Sequence, residues 1–194
     1  GTNAWLRAVS FADINIGTAV GIGGAIFRTT DGGASWFSQS SGTTNHLYAV
    51  SFQDPSHGII VGTSGVILRT TDGGLNWVVQ ASGTTAHLNS VSYTDLYTGT
   101  AVGSDGTILR TTDQGATWIP QSSGTTEHLY GVSFSDESTG IVVGMNGEVR
   151  RTTDGGESWN TGTSGTVEHL YGVTLVGADR GWSVGQSGEI LSST

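Results

Sequence analysis

Residues 42–82 read GTTNHLYAVSFQDPSHGIIVGTSGVILRTTDGGLNWVVQAS, and closely similar segments open at Gly1, Gly83, Gly124 and Gly165. Segments two, three and four carry Gly-Thr-Thr-x-His-Leu at that point. Arg28, Arg69, Arg110 and Arg151 share one register, and Trp36, Trp77, Trp118 and Trp159 share another. The period is 41 residues without drift, giving copies 1–41, 42–82, 83–123, 124–164 and a shorter last copy, 165–194. Each copy must then be one supersecondary unit whose apolar faces are buried by its neighbours. The five copies are expected to form one domain over 1–194. A residue present in every copy serves the copy first, and chemistry belongs to residues that break the pattern.

Within the type copy, Leu47-Tyr-Ala-Val-Ser-Phe52 alternates between two side-chain sets, as a strand does. The equivalents of Ala49 are Ala8, Ser90, Gly131 and Gly172, all small, as a crowded inner strand requires. Gly58–Gly62 and Val66–Thr70 read as the second and third strands. Gly23-Gly24, Ser64-Gly65, Asp105-Gly106, Asn146-Gly147 and Ser187-Gly188 join them; Asn-Gly and Asp-Gly between apolar runs mark a turn needing two positive φ values. Asn76–Gln80 makes a fourth strand. Four meandering strands per ~40–45 residues is a propeller blade. The expectation is an all-β, five-bladed β-propeller, a small ring whose last blade lacks its outer strand.

Between strands three and four lies Thr29-Thr-Asp31-Gly-Gly33-Ala-Ser35-Trp36, repeated around Asp72 and Trp77, Asp113 and Trp118, and Asp154 and Trp159. This motif resembles the Asp-box, or bacterial neuraminidase repeat. The fuller pattern, with Val-Ser-Phe, Val-Gly and Gly-x-Ile-Leu-Arg-Thr-Thr-Asp-Gly-Gly, is similar to the photosystem II assembly and stability factor-like propeller repeats. The resemblance implies a propeller in which the boxes are structural, even within sialidases. It also implies that the assembly-factor relatives dock a membrane-protein client on an arginine-rich patch. This chain keeps one box-flanking Arg in each of the first four copies, but it is acidic and has fewer copies than those relatives. The physics of the box is local: the carboxylate accepts amides of its own turn, Gly supplies positive φ, and Trp plugs the loop. One acid per short loop cannot supply the oxygen ligands of a calcium site, so no metal is expected.

Arg28, Arg69, Arg110 and Arg151 read either as an anion-binding belt or as struts between blades, and the strut is preferred. Trp5, His46, His87, His128 and His169 precede the inner strands and form the candidate ligand-binding set, a wreath suited to a flat sugar or aromatic group. A five-fold spread does not converge neutral imidazoles tetrahedrally on zinc. The residues that break the repeat include Trp5, Arg7, Asp105, Arg150, Arg180 and Trp182. They make no recognisable triad or carboxylate pair, and no enzyme and no cofactor are expected.

The composition limits partners further. There is no Lys, and seven Arg stand against 16 acids for a formal charge of −9, which disfavours nucleic acid. No run approaches ~18 apolar residues, so membrane insertion is not expected. With no Cys, disulfides and thiol chemistry are excluded and the redox compartment stays open. The start without Met suggests a processed chain. The expected role is a non-catalytic extracellular or cell-surface scaffold, with the periplasm also open. Its partners are expected to be other protein subunits. The edge Glu189, Ile190, Leu191, Ser192 and Ser193 is expected to mediate self-association into an oligomer or filament. A multivalent glycan-binding propeller is the alternative, and a photosystem-type assembly factor ranks third.

Overall fold

A computed structural model describes residues 3–193; Gly1, Thr2 and Thr194 lie outside them. The first copy's opening Gly1 is therefore outside the described residues. The chain is all-β, with five antiparallel sheets in chain order. Four sheets have four strands and the last has three. The inner strands are Leu6–Phe11, Leu47–Phe52, Leu88–Tyr93, Leu129–Phe134 and Leu170–Val176. No described helix is long and apolar enough to cross a membrane.

Each blade is a simple meander, with Val50 opposite Ile60 and Ile60 opposite Leu68 in the type copy. The turn between strands two and three holds two consecutive positive φ values, 55° at Ser64 and 69° at Gly65. Asp105 and Asn146 take the same left-handed position in their copies, at 57°. The fourth strand is shorter than the sequence suggests, Val78–Gln80, because Asn76 and Trp77 belong to the box loop. Pro120 is accommodated in its copy because the outer strand needs no amide on its free side.

The core lies between blades. Val20 and Ile26 of the first blade pack with Leu47, Ile60 and Leu68 of the second. Ile59, Val61 and Ile67 pack with Leu88, Ala101 and Trp118 of the third, and Val102 and Ile108 with Leu129 and Val142 of the fourth. Strands two and three are apolar on both sides for this reason. Each inner-strand Leu that meets a preceding blade is fully buried, worth about 1.5–3 kcal/mol of transfer free energy.

The expected closure into a small ring is not made by packing. Substantial packing joins neighbouring blades only, first to second through fourth to fifth. Leu6 is 46% exposed although Leu47, Leu88, Leu129 and Leu170 are at 0%. Val184 and Ile190, whose counterparts Val20 and Ile26 are buried, are 51% and 74% exposed. Among the described residues, the two end faces therefore do not cover one another.

Candidate functional site

The blades have two ends of different chemistry. At one end, the box loop and the loop after the inner strand close on each other: the Gly73 amide donates to the Ser56 carbonyl at 2.8 Å, and Gly155 to Ser138 likewise. Within the box, the Thr70 hydroxyl donates to Asp72 Oδ1 at 2.8 Å and accepts from the Gly74 amide at 2.8 Å. Asp72 Oδ1 also accepts from the Asn76 amide at 2.9 Å. Asn76 Nδ2 donates to Oδ2 at 2.7 Å, so Asn replaces the hydroxyl of the other copies without loss. The Asn76 groups hold the Asp72 carboxyl below its ordinary range. The Ser35 hydroxyl and amide, with the Thr29 hydroxyl, lower Asp31 to about 2. Trp36, Trp77 and Trp159 stand edge-on to Phe11, Phe52 and Phe134, with ring centroids 5.9–6.1 Å apart. Trp118 is buried and its indole N–H donates to the Gly115 carbonyl at 3.2 Å.

The register arginines reach across to the next blade. Arg69 Nε donates to the Gln114 carbonyl at 2.8 Å, and Arg110 Nη2 to the Glu137 carbonyl at 3.0 Å. Arg151 Nη2 donates to the Ala178 carbonyl at 2.7 Å. Arg28 lies equally close to Gly73 of the second blade, its Nη2 3.0 Å from where a Cβ would stand. The ring beneath the Arg110 guanidinium is Phe134, its centroid 5.6 Å away. Arg69, Arg110 and Arg151 thus reach carbonyls of the next blade, whereas the buried Arg28 Nε has no hydrogen-bond partner among the described residues.

A second set of braces was missed in the sequence. Asp13, Asp54, Asp95 and Asp136 each fold back on the amides two and three residues on, as Asp54 does with Ser56 and His57 at 2.6 and 2.8 Å. The period of 41 was the available signal; only the Asp-box drew attention because it carries a Trp.

The other end carries the histidines. His46 Nδ1 accepts from the Gly23 amide of the preceding blade at 3.1 Å, and His87 from Ser64 at 3.1 Å. His128 accepts from Asp105 at 3.0 Å and His169 from Asn146 at 3.1 Å. The carbonyl of each His accepts from its own blade's turn, as His46 does from Thr63 at 2.9 Å. Each imidazole thus ties two blades together, with Nδ1 unprotonated. Trp5 is in the same slot and is 74% exposed. Among the described residues no three His, Asp or Glu side chains gather around a possible metal position.

The described repeat-breaking residues do not converge. Arg150 pairs with Glu148 at 2.5 Å and with the Thr161 hydroxyl at 2.7 Å. Asp105 lies 3.6 Å from His128 Nδ1. Ile190–Ser193 is the edge of the three-stranded sheet, with Ile190 opposite Val184 and Ser193 opposite Gly181.

Residues 35–123 match the family model described as photosynthesis system II assembly factor YCF48. No curated protein sequence matches the chain. Among solved structures, "YCF48 bound to D1 peptide" aligns with 100% of this chain at 23% identity and a TM-score of 0.79. The chain spans 64% of that protein's length. YCF48 from Cyanidioschyzon merolae aligns over 99% of this chain and 96% of its own, at 16% identity and a TM-score of 0.53. An ancestral GH74 enzyme aligns over 99% of this chain and 30% of its own, at 17% identity and a TM-score of 0.76. At these identities the structural likenesses establish the fold alone.

The comparisons correct the expected role. Residues 35–123 match a photosystem II assembly-factor model and no finding points outside the cell, so the extracellular or cell-surface location is withdrawn. The scaffold that self-associates through Glu189–Ser193 and the glycan-binding alternative find no support among the relatives and are withdrawn too. The ranking erred because net charge and copy number were weighed above the in-phase repeat pattern, which is the more specific signal.

Proposed function

We propose that this chain, whose Asp-box propeller repeats are related to those of YCF48, is a non-catalytic assembly factor of the photosystem II type that holds a segment of a protein partner. The observation that carries this reading is the match of residues 35–123 to the YCF48 family model. The likeness over the whole chain to a YCF48 caught with a D1 peptide favours a peptide-like ligand.

The distribution of free chemistry favours the His-bearing end of the blades. At the opposite end the carboxylates, hydroxyls and guanidiniums are committed to turns and to neighbouring blades. A frame braced in this way suits a platform whose partner supplies the change in shape. The non-catalytic reading is supported by repeat-breaking residues that pair locally, as Arg150 does with Glu148, and do not face one another across a cleft.

Titration of the full chain with the D1 peptide by calorimetry tests the reading. Saturable one-to-one binding is expected, with no turnover of the peptide. A chain that is folded by circular dichroism yet gives no heat of binding and no competition with a labelled peptide would overturn it.

A further inference from the structure

One register of the repeat is not explained by the frame. The second residue of the inner strand is Arg7, Tyr48, Asn89, Tyr130 and Tyr171 in the five copies, whereas the Leu before it is the same in all five. A β-bulge falls here: the pairing of the first two strands skips residue 48 between Leu47 and Ala49, and skips residue 130 between Leu129 and Gly131. The blade's ladder therefore places no demand on this side chain. Its identity is free to vary, and it varies toward aromatic rings.

The first pair shows what such a ring accepts. The Arg7 guanidinium of blade one lies over the Tyr48 ring of blade two, 5.8 Å from its centroid. At the boundary of blades four and five the same two positions are both tyrosines. Tyr130 and Tyr171 are 5.5 Å apart, with the His169 ring 6.4 and 6.3 Å from them. Tyr171 is 51% exposed, and among the described residues no guanidinium lies over either ring.

The charge at this boundary is one-sided. Glu127 Oε2 accepts from Asn146 Nδ2 at 3.1 Å. That same Asn146 donates its amide to His169, so carboxylate, imidazole and rings form one connected surface. Glu168, beside His169 in sequence, accepts from the Ser187 hydroxyl at 3.3 Å. The corresponding residues in the earlier copies are Asn45 and Ala86, so the acids enter only where the tyrosines double. The chain has no Lys, and Arg150 is already engaged by Glu148.

We propose that the Tyr130–His169–Tyr171 surface, flanked by Glu127 and Glu168, docks an arginine-bearing segment of a protein partner. The partner's guanidinium would lie on the Tyr171 ring as Arg7 does on Tyr48, with the two carboxylates neutralising it. A weakly hydrated, planar guanidinium suits a ring face better than an ammonium, and an aromatic face beside carboxylates attracts cations and repels anions. This rests on the reading of the chain as a protein-binding platform. It gives that platform a polarity opposite to an arginine patch that receives carboxylates.

The test uses an acetylated tri-arginine amide, with tri-lysine and tri-glutamate peptides as controls, titrated into the full chain at low salt and followed by NMR. The arginine peptide should perturb Tyr130, His169 and Tyr171, bind more tightly than tri-lysine, and weaken as salt rises. Tyr171→Ala and the Glu127→Gln/Glu168→Gln pair should each weaken it about tenfold with unfolding temperatures unchanged, while Tyr171→Phe keeps binding. Shifts spread evenly over the acidic surface, equal binding of tri-glutamate, or indifference to all three variants would overturn the proposal. If the D1 peptide binds while the arginine peptide does not, this inference fails and the assembly-factor reading stands. If neither binds, both fail.

Discussion

Asp72 shows how much of this molecule is set within a few covalent bonds of one carboxylate. It gathers the Thr70 hydroxyl, the Asn76 amide and the Asn76 side chain, and was legible because Asp, Gly and Trp recur at fixed offsets. Asp72→Ala should cost ~1–3 kcal/mol by orphaning those donors, read as a lower urea midpoint with an unchanged slope. The same bonds set a pH dependence. The folded-state carboxyls are depressed, Asp31 to about 2, so their stabilisation is present above the ordinary value of 3.8 and is lost as pH falls toward about 2. Melting temperatures should be flat near neutrality and fall between those limits; the Asp72→Ala chain should lose less over that interval. The acceptor role of each His toward the preceding blade was not legible, because the donor lies 23 residues away in a turn whose position depends on how two blades pack.

At the scale of the element, the strand is the unit that carries blade-to-blade adhesion, and it does so through the inner-strand Leu. Period-two alternation and the Gly-rich turns placed all five inner strands to within a residue, and the small side chains opposite Val61 and Val143 followed from crowding. The fourth strand was drawn too long, because a sequence shows Trp as an apolar strand residue and cannot show that the box claims it. Burial separates copies that look alike: Leu88 is at 0% exposure and Leu6 at 46%. Leu88→Ala should therefore cost ~2–5 kcal/mol, while Leu6→Ala should cost under about half as much, in the same denaturant experiment. Equal losses at the two sites would mean that the first inner strand is covered as fully as the others.

Across the whole molecule, the repeat supplies a frame and the departures from it supply a surface. Five antiparallel sheets in chain order were readable from the period, but closure was not, since neighbouring copies pack identically in a closed and in an open array. The candidate surface was only half readable: His46, His87, His128 and His169 were singled out, and each accepts an amide of the preceding blade's turn, while the varying Tyr register beside them drew no notice because its meaning depends on the Arg7–Tyr48 pair across two copies. The central claim, that the braced frame presents a peptide-binding face at its His-bearing end, is tested most directly by hydrogen–deuterium exchange of the full chain with and without the D1 peptide. The account predicts slowed exchange in the turns at 104–106 and 145–147 and at the start of the Leu129 and Leu170 strands, with the box loops unchanged. Protection confined to the box loops around Asp72, Asp113 and Asp154, with the His-bearing turns unaffected, would contradict it.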